Sequence, residues 1–244
     1  MSGLLYKNFR INRSSFIFSL CTAILCCIVT ILFAVFIGGA DSIKDDNAAT
    51  SIGMVNALLY YLAFLLPSLT TSMLFEADEN KTCCAFAMSL PQGGKGHVES
   101  KYYYLLILNI TVLFIAFTSD MISFAIYGGK VSATMALMLI FCWRLLVSAI
   151  EVPFVIRFGS QHGVEIKGVV IFFIFMLIMI YFFFGDISWL MSVEDPVEAF
   201  VNWLNSGDTI FWISLFPFIS VAAYYLSCRI SVKLFRKGAE NYEQ

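Results

Sequence analysis

The sequence predicts an all-α polytopic membrane protein with six transmembrane helices, and three observations carry that expectation. The 244 residues are 60% hydrophobic and only 13% charged, against roughly 25% charged in soluble proteins. Six apolar stretches reach or nearly reach the about 20 residues a helix needs to cross a bilayer. The basic residues fall almost entirely on one side of those stretches. The 25 Phe are too many for one aqueous core, and a net charge of −2 gives no sign of a nucleic-acid partner.

The stretches lie at about 16–39, 51–75, 102–127, 131–150, 168–185 and 209–228, a single transmembrane domain over 1–244. They show no alternation of the barrel-strand kind, so helices are the way to satisfy the backbone in lipid. The first two carry no charge, while Asp120 interrupts the third and Arg144 the fourth. Gly128, Gly129 and Lys130 join these two in a tight helical hairpin. The first stretch follows Lys7, Arg10 and Arg13, as a signal peptide would, but its apolar run is too long for a typical one and no clean small-x-small site follows it.

Twelve basic residues occupy the N-terminus, the loops after spans two and four, and the C-terminus: Lys7, Arg10, Arg13, Lys81, Lys95, Lys101, Arg157, Lys167, Arg229, Lys233, Arg236 and Lys237. Only Lys44 and Lys130 lie on the other side. The positive-inside rule then puts both termini in the cytoplasm of a plasma-membrane protein. Leu5, Phe9 and Phe16 alternate with Lys7, Arg10 and Arg13, the pattern of an interfacial helix on the inner leaflet. The basic C-terminal residues suit anionic lipid. Outside, Asp195, Pro196 and Glu198 form a helix-start signature. Val197, Phe200, Val201 and Leu204 then share one face, which predicts a short outer amphipathic helix between spans five and six.

Two cytoplasmic loops hold the remaining signals. The first starts at Glu76, Asp78, Glu79 and Lys81, continues through Phe86, Met88 and Leu90, and is stopped by Pro91, with glycines turning the chain back towards Lys101. The second runs through Pro153, Arg157, Phe158, Gly159 and Gly163. Two charged, helix-like loops on one face predict a docking surface for a soluble partner. No site for chemistry accompanies them. His97 and His162, the two histidines, sit in separate loops, and no H-E-x-x-H or G-x-S-x-G occurs. Gly93-Gly94-Lys95-Gly96 fails as a phosphate loop, because Ser89 stands where the first Gly belongs and Gly96 where Ser or Thr should follow the Lys. The seven cysteines show no C-x-x-C or metal spacing. The chain therefore reads as non-catalytic, with no cofactor of its own.

Asp120 and Arg144 are expensive at membrane depth and stand as candidate functional residues. Counted from the hairpin at 1.5 Å per residue, Asp120 lies about 13 Å deep and Arg144 about 22 Å, so they are not level. Arg144 can reach towards the inner interface, where Glu151 sits two turns on along the same face. An ion- or proton-coupled carrier or channel using Asp120 and Arg144 stays open as a second function class, and a membrane-embedded enzyme or scaffold as a third.

The opening Met1-Ser-Gly-Leu-Leu-Tyr-Lys7-Asn-Phe, the stretch Asp78-Glu79-Asn-Lys81 … Ser89-Leu90-Pro91 … Val98-Glu99-Ser100-Lys101-Tyr102, and Pro153 … Arg157-Phe158-Gly159 … Gly163 resemble ABC-2 type permeases of Gram-positive bacteria. The resemblance covers the chain in length and span count. It departs where Thr82, Cys83 and Cys84 follow Lys81, since many relatives carry an aromatic residue there. It implies the transmembrane subunit of an ABC exporter, of the type V kind. Two copies, or this chain and a similar permease, would pair. Two separate ATPase subunits carrying ATP and Mg would dock beneath them on coupling helices in the two loops. Some relatives export amphipathic peptides, including phenol-soluble modulins and bacteriocins, so the resemblance implies an amphipathic or hydrophobic cargo. The cargo path is expected between two copies, lined by spans one, two and five.

Overall fold

The structure, a computed structural model, describes residues 2–37, 46–76, 93–159 and 207–240, with residues 162, 165, 168, 169, 172, 173 and 176. The described residues form no strand, and the helices whose bounds are described are α1 (Ser2–Ile11), α2 (Arg13–Ile37), α3 (Asp46–Glu76), α4 (Gly93–Ile126), α5 (Thr134–Phe158) and α6 (Gly207–Glu240). Among the described residues, four segments are long and apolar enough to cross a membrane: α2, α4, α5 and Ser214–Arg236 within α6. In α3, the described apolar stretch is Ile52–Leu65. Of the fifth stretch only residues 168, 169, 172, 173 and 176 are described, and they are helical. The outer amphipathic helix expected at Asp195–Leu204 lies outside the described residues.

Helix α2 shows how such a chain packs. Ser19, Ala23, Cys27, Thr30 and Ala34 recur every three or four residues and are buried. Large side chains face outward instead, with Phe36 86% exposed. Lipid is as apolar as leucine, so helices in a membrane associate through close backbone approach, and small residues permit it.

Helix α4 is the hub and packs against all five others. Three core layers run along it. One gathers the end of α3, the start of α4, the end of α5 and α6 around Tyr102, Leu105, Val152 and Tyr224. The middle layer joins α2, α3 and α4 through Ala23, Phe64 and Val112. The third, beside the hairpin, holds Ala34, Ile52, Tyr127 and Val131. α1 lies against the first layer: Phe9 meets Tyr104 edge-on at 4.9 Å, and the Asn8 side-chain amide donates to Ser100 Oγ at 3.0 Å.

Two boundaries differ from the sequence reading. Gly93 keeps a left-handed φ of 54°, but Gly94 and Gly96 do not turn the chain; α4 begins at Gly93, and Gly94, Gly96, His97 and Val98 are buried on it. His97 thus sits on a helix, 5.6 Å from the Phe235 ring of α6, not in a loop. A helical glycine costs about 1 kcal/mol, a deficit that close helix packing can offset. Helix α5 likewise runs on through Pro153 to Phe158. It stops at Gly159, whose φ of 88° favours glycine and whose N–H donates to Val155 O.

The α4–α5 turn is the hairpin that its glycines promise. Gly128 and Gly129 have φ of 64° and 82°. Gly129 N–H donates to Phe124 O at 2.9 Å and Gly128 N–H to Ala125 O at 3.2 Å. These are the two bonds of a Schellman cap.

Candidate functional site: charges and hydroxyls inside the helix bundle

Helix α4 carries a charged side chain near each end, and each caps a neighbouring helix. Lys101 is 1% exposed. Its ammonium donates to Leu74 O at 3.1 Å and lies 4.0 Å from the centre of the Phe75 ring. Leu74 is in the last turn of α3, where carbonyls lack helical donors and the dipole favours a cation. Asp120 does the reverse at the start of α5. Ala133 N–H donates to its Oδ1 at 3.0 Å. The Thr134 hydroxyl donates to Oδ2 at 2.8 Å, and the Ser132 hydroxyl reaches Oδ2 at 3.4 Å. Ala133 has no capping side chain of its own; the carboxylate of α4 supplies the acceptor that an N-terminus wants. The 19 residues from Lys101 to Asp120 rise about 28 Å, close to the hydrocarbon thickness.

Arg144 and Glu151 form a pair within α5, Nη1 to Oε2 at 3.9 Å, with side chains 6% and 1% exposed. Both face inward. Asp120 and Arg144 therefore serve different places: the first holds the hairpin, the second pairs further along α5.

A third cluster explains how Pro153 sits inside a helix. Proline has no N–H, so the carbonyl four residues earlier, that of Ala149, loses its helical donor. The Ser227 hydroxyl of α6 donates to Ala149 O at 2.5 Å, the kind of side-chain repair that lets proline persist in membrane helices. Tyr102 OH of α4 hydrogen-bonds with Ser227 Oγ at 2.7 Å and Ser231 Oγ at 2.8 Å. Tyr224 OH returns to Tyr102 O at 2.7 Å. Three helices are thereby tied at one level. Ser227→Ala should leave the Ala149 carbonyl short of a donor and cost about 1–3 kcal/mol, seen as a lower Tm of the purified protein in detergent. Pro153→Ala restores the N–H, so the same serine change in that background should cost clearly less. Equal costs in both backgrounds would disprove the repair.

In the middle layer, Thr30 Oγ1 and Ser119 Oγ share a hydrogen bond of 2.8 Å, and Ser119 also reaches Cys27 O at 3.2 Å. Sequence reasoning passed over these hydroxyls. A signal existed: Ser220, Tyr224, Ser227 and Ser231 are buried on α6, and their i, i+4, i+7, i+11 spacing marks one polar stripe in an apolar helix.

The expected docking residues divide. Glu76 is the exposed last residue of α3. Asp78, Glu79, Lys81, Phe86, Met88, Leu90 and Pro91 lie outside the described residues. Arg157, Phe158 and Gly159 close α5; Phe158 is exposed and stacks on Phe154 at 6.3 Å, and the Arg157 guanidinium lies 5.5 Å from the Phe158 ring centre. The Gly93–Gly96 run that loosely evokes a phosphate loop is the first turn of α4, with Lys95 3.8 Å from Glu99.

Compared with known proteins, residues 3–236 match the family model described as ABC-2 family transporter protein. No curated protein and no solved structure matches the chain. The family match spans nearly all of a chain whose described helices are those of a multi-pass membrane protein. The chain belongs to the ABC-2 transporter family.

Proposed function

We propose that this permease subunit, with both termini in the cytoplasm, works as one of a pair to export an amphipathic or hydrophobic substrate, an amphipathic peptide being the leading class. The observation that carries the reading is the family relationship over residues 3–236, which makes the chain the membrane subunit of an ABC transporter served by an ABC ATPase. The glycine-lysine run packs as a helix start and cannot cradle a nucleotide in that form, which supports a motor on another polypeptide. The twelve-to-two split of basic residues supports the orientation. An apolar cargo is supported by α2, which turns Phe18, Leu25, Leu32 and Phe36 outward, and by a bundle whose charges are engaged by protein groups.

The motor can touch only cytoplasmic segments, and the 76–101 segment joins α3 directly to α4. Its acidic start suits basic residues of a partner cleft, while Phe86, Met88 and Leu90 offer apolar anchors. Buried anchors typically cost more than about 1–2 kcal/mol when removed, and rim charges less. Phe86→Ala or Leu90→Asp should therefore abolish stimulated ATP hydrolysis and transport in a reconstituted complex while the subunit still inserts; Glu76→Gln should do much less. Intact coupling in both apolar variants would move the docking site to Arg157–Gly159.

Orientation has its own check. In a cysteine-depleted background, Ser192→Cys should react with an impermeant thiol reagent on intact cells, and Asn80→Cys should not. Labelling of Asn80→Cys from outside would invert the topology.

A further inference from the structure

The outer face of α6 changes character along its length. Phe218 and Leu226 are 74% and 59% exposed, with exposed Ala222 between them at i, i+4 and i+8, a column of apolar side chains open to lipid within the span Ser214–Arg236. Arg229, Lys233 and Arg236 follow at i, i+4 and i+7, all exposed, so their heads share one side of the helix over about 10 Å. Arg229 is held in place: its Nε and Nη2 donate to Tyr225 OH at 3.0 and 2.6 Å, and the guanidinium lies 5.1 Å from that ring's centre. Of the charged groups on the adjoining start of α4, Glu99 is met by Lys95 at 3.8 Å. The surface as a whole is cationic. Arg229 follows Leu226 by three residues on the same side of the helix, so the cations continue the apolar column.

A water-soluble partner would cover the basic heads but not Phe218 and Leu226. An amphiphile covers both. We propose that this face of α6 binds an anionic glycerophospholipid, its phosphate held by Arg229 and Lys233 with Arg236 at the rim, and its acyl chains lying along Phe218, Ala222 and Leu226. The proposal requires only that α6 crosses a membrane and is independent of substrate and orientation.

The test uses the full chain reconstituted in vesicles of equimolar phosphatidylglycerol and phosphatidylcholine, extracted in mild detergent, with co-purifying lipid counted by native mass spectrometry. Phosphatidylglycerol should be enriched over phosphatidylcholine. Arg229→Gln and Lys233→Gln should each weaken its retention about fivefold, the effect of about one basic side chain near an anionic surface. Arg229→Lys should weaken it less, and Lys130→Gln, at the exposed hairpin, should not change it. Retention unchanged in the Arg229→Gln/Lys233→Gln double variant would overturn the proposal, as would an equal loss in Lys130→Gln. Full displacement by inorganic phosphate would show that acyl chains contribute nothing, and the lipid assignment would fall.

Discussion

Arg144→Ala should destabilise the bundle by about 3–5 kcal/mol, the usual cost of breaking a buried ion pair from one side. The reason lies in what is left behind. Glu151 is 1% exposed at its side chain, so its carboxylate would lose its cationic neighbour at 3.9 Å with little water to replace it. Glu151→Ala should cost a similar amount for the opposite reason. The double change Arg144→Leu/Glu151→Leu should be far milder than either single change, because buried pairs replaced together by apolar residues of similar volume are often neutral or stabilising. Arg144→Lys should keep most of the stability, since it retains a cation on the face of α5 that carries Glu151. Thermal denaturation of the four variants in one detergent compares these costs. Single changes as mild as the double would show that the pair contributes nothing. Full transport by Arg144→Ala in a complex that still assembles would remove Arg144 from any role in cargo movement.

How much of this was legible in the sequence depends on which residues had to meet. The Arg144–Glu151 pairing is local: seven residues put both side chains on one helical face, so spacing alone aligns them. The hairpin is local too, since Gly128 and Gly129 are where left-handed backbone costs least. The long apolar stretches are visible in composition. Helix ends were harder. Glycine and proline ordinarily punctuate chains, and here both lie inside helices, Gly94 and Gly96 buried on α4 and Pro153 inside α5. In each case a neighbouring helix decides. The Ser227 hydroxyl that serves the proline-freed carbonyl is 78 residues away from it in the chain, and Lys101 lies 27 residues from the carbonyl it caps. Periodicity reveals that α6 carries a polar stripe but not which carbonyl it faces. The candidate docking segment from Asp78 to Pro91 falls outside the described residues, so its assignment rests on charge pattern and family.

Asp120 separates the permease reading from a proton- or ion-coupled carrier. As a cap, its carboxylate must accept: from Ala133 N–H at 3.0 Å and from the Thr134 hydroxyl at 2.8 Å. Asp120→Ala removes both acceptor oxygens and strands the donors at the start of α5. Losing an N-terminal cap costs about 0.5–2 kcal/mol, and hydrogen bonds to a charged group are worth about 1.5–3 kcal/mol each. A loss of about 2–4 kcal/mol is expected, together with poorer assembly of the hairpin. Asp120→Asn keeps one carbonyl oxygen that can still accept from Ala133 or Thr134 but cannot take up and release a proton. If Asp120 is structural, Asp120→Asn should retain most of the stability and of the ATP-driven transport, while Asp120→Ala loses both together. A carrier that cycles a proton or cation on this carboxylate would fail in both variants, with Asp120→Asn stable but inactive. Transport in proteoliposomes at fixed ATP, measured with and without a proton gradient alongside the Tm of each variant, distinguishes them. A stable Asp120→Asn protein without transport would return the carboxylate to the transport pathway and reopen the carrier mechanism.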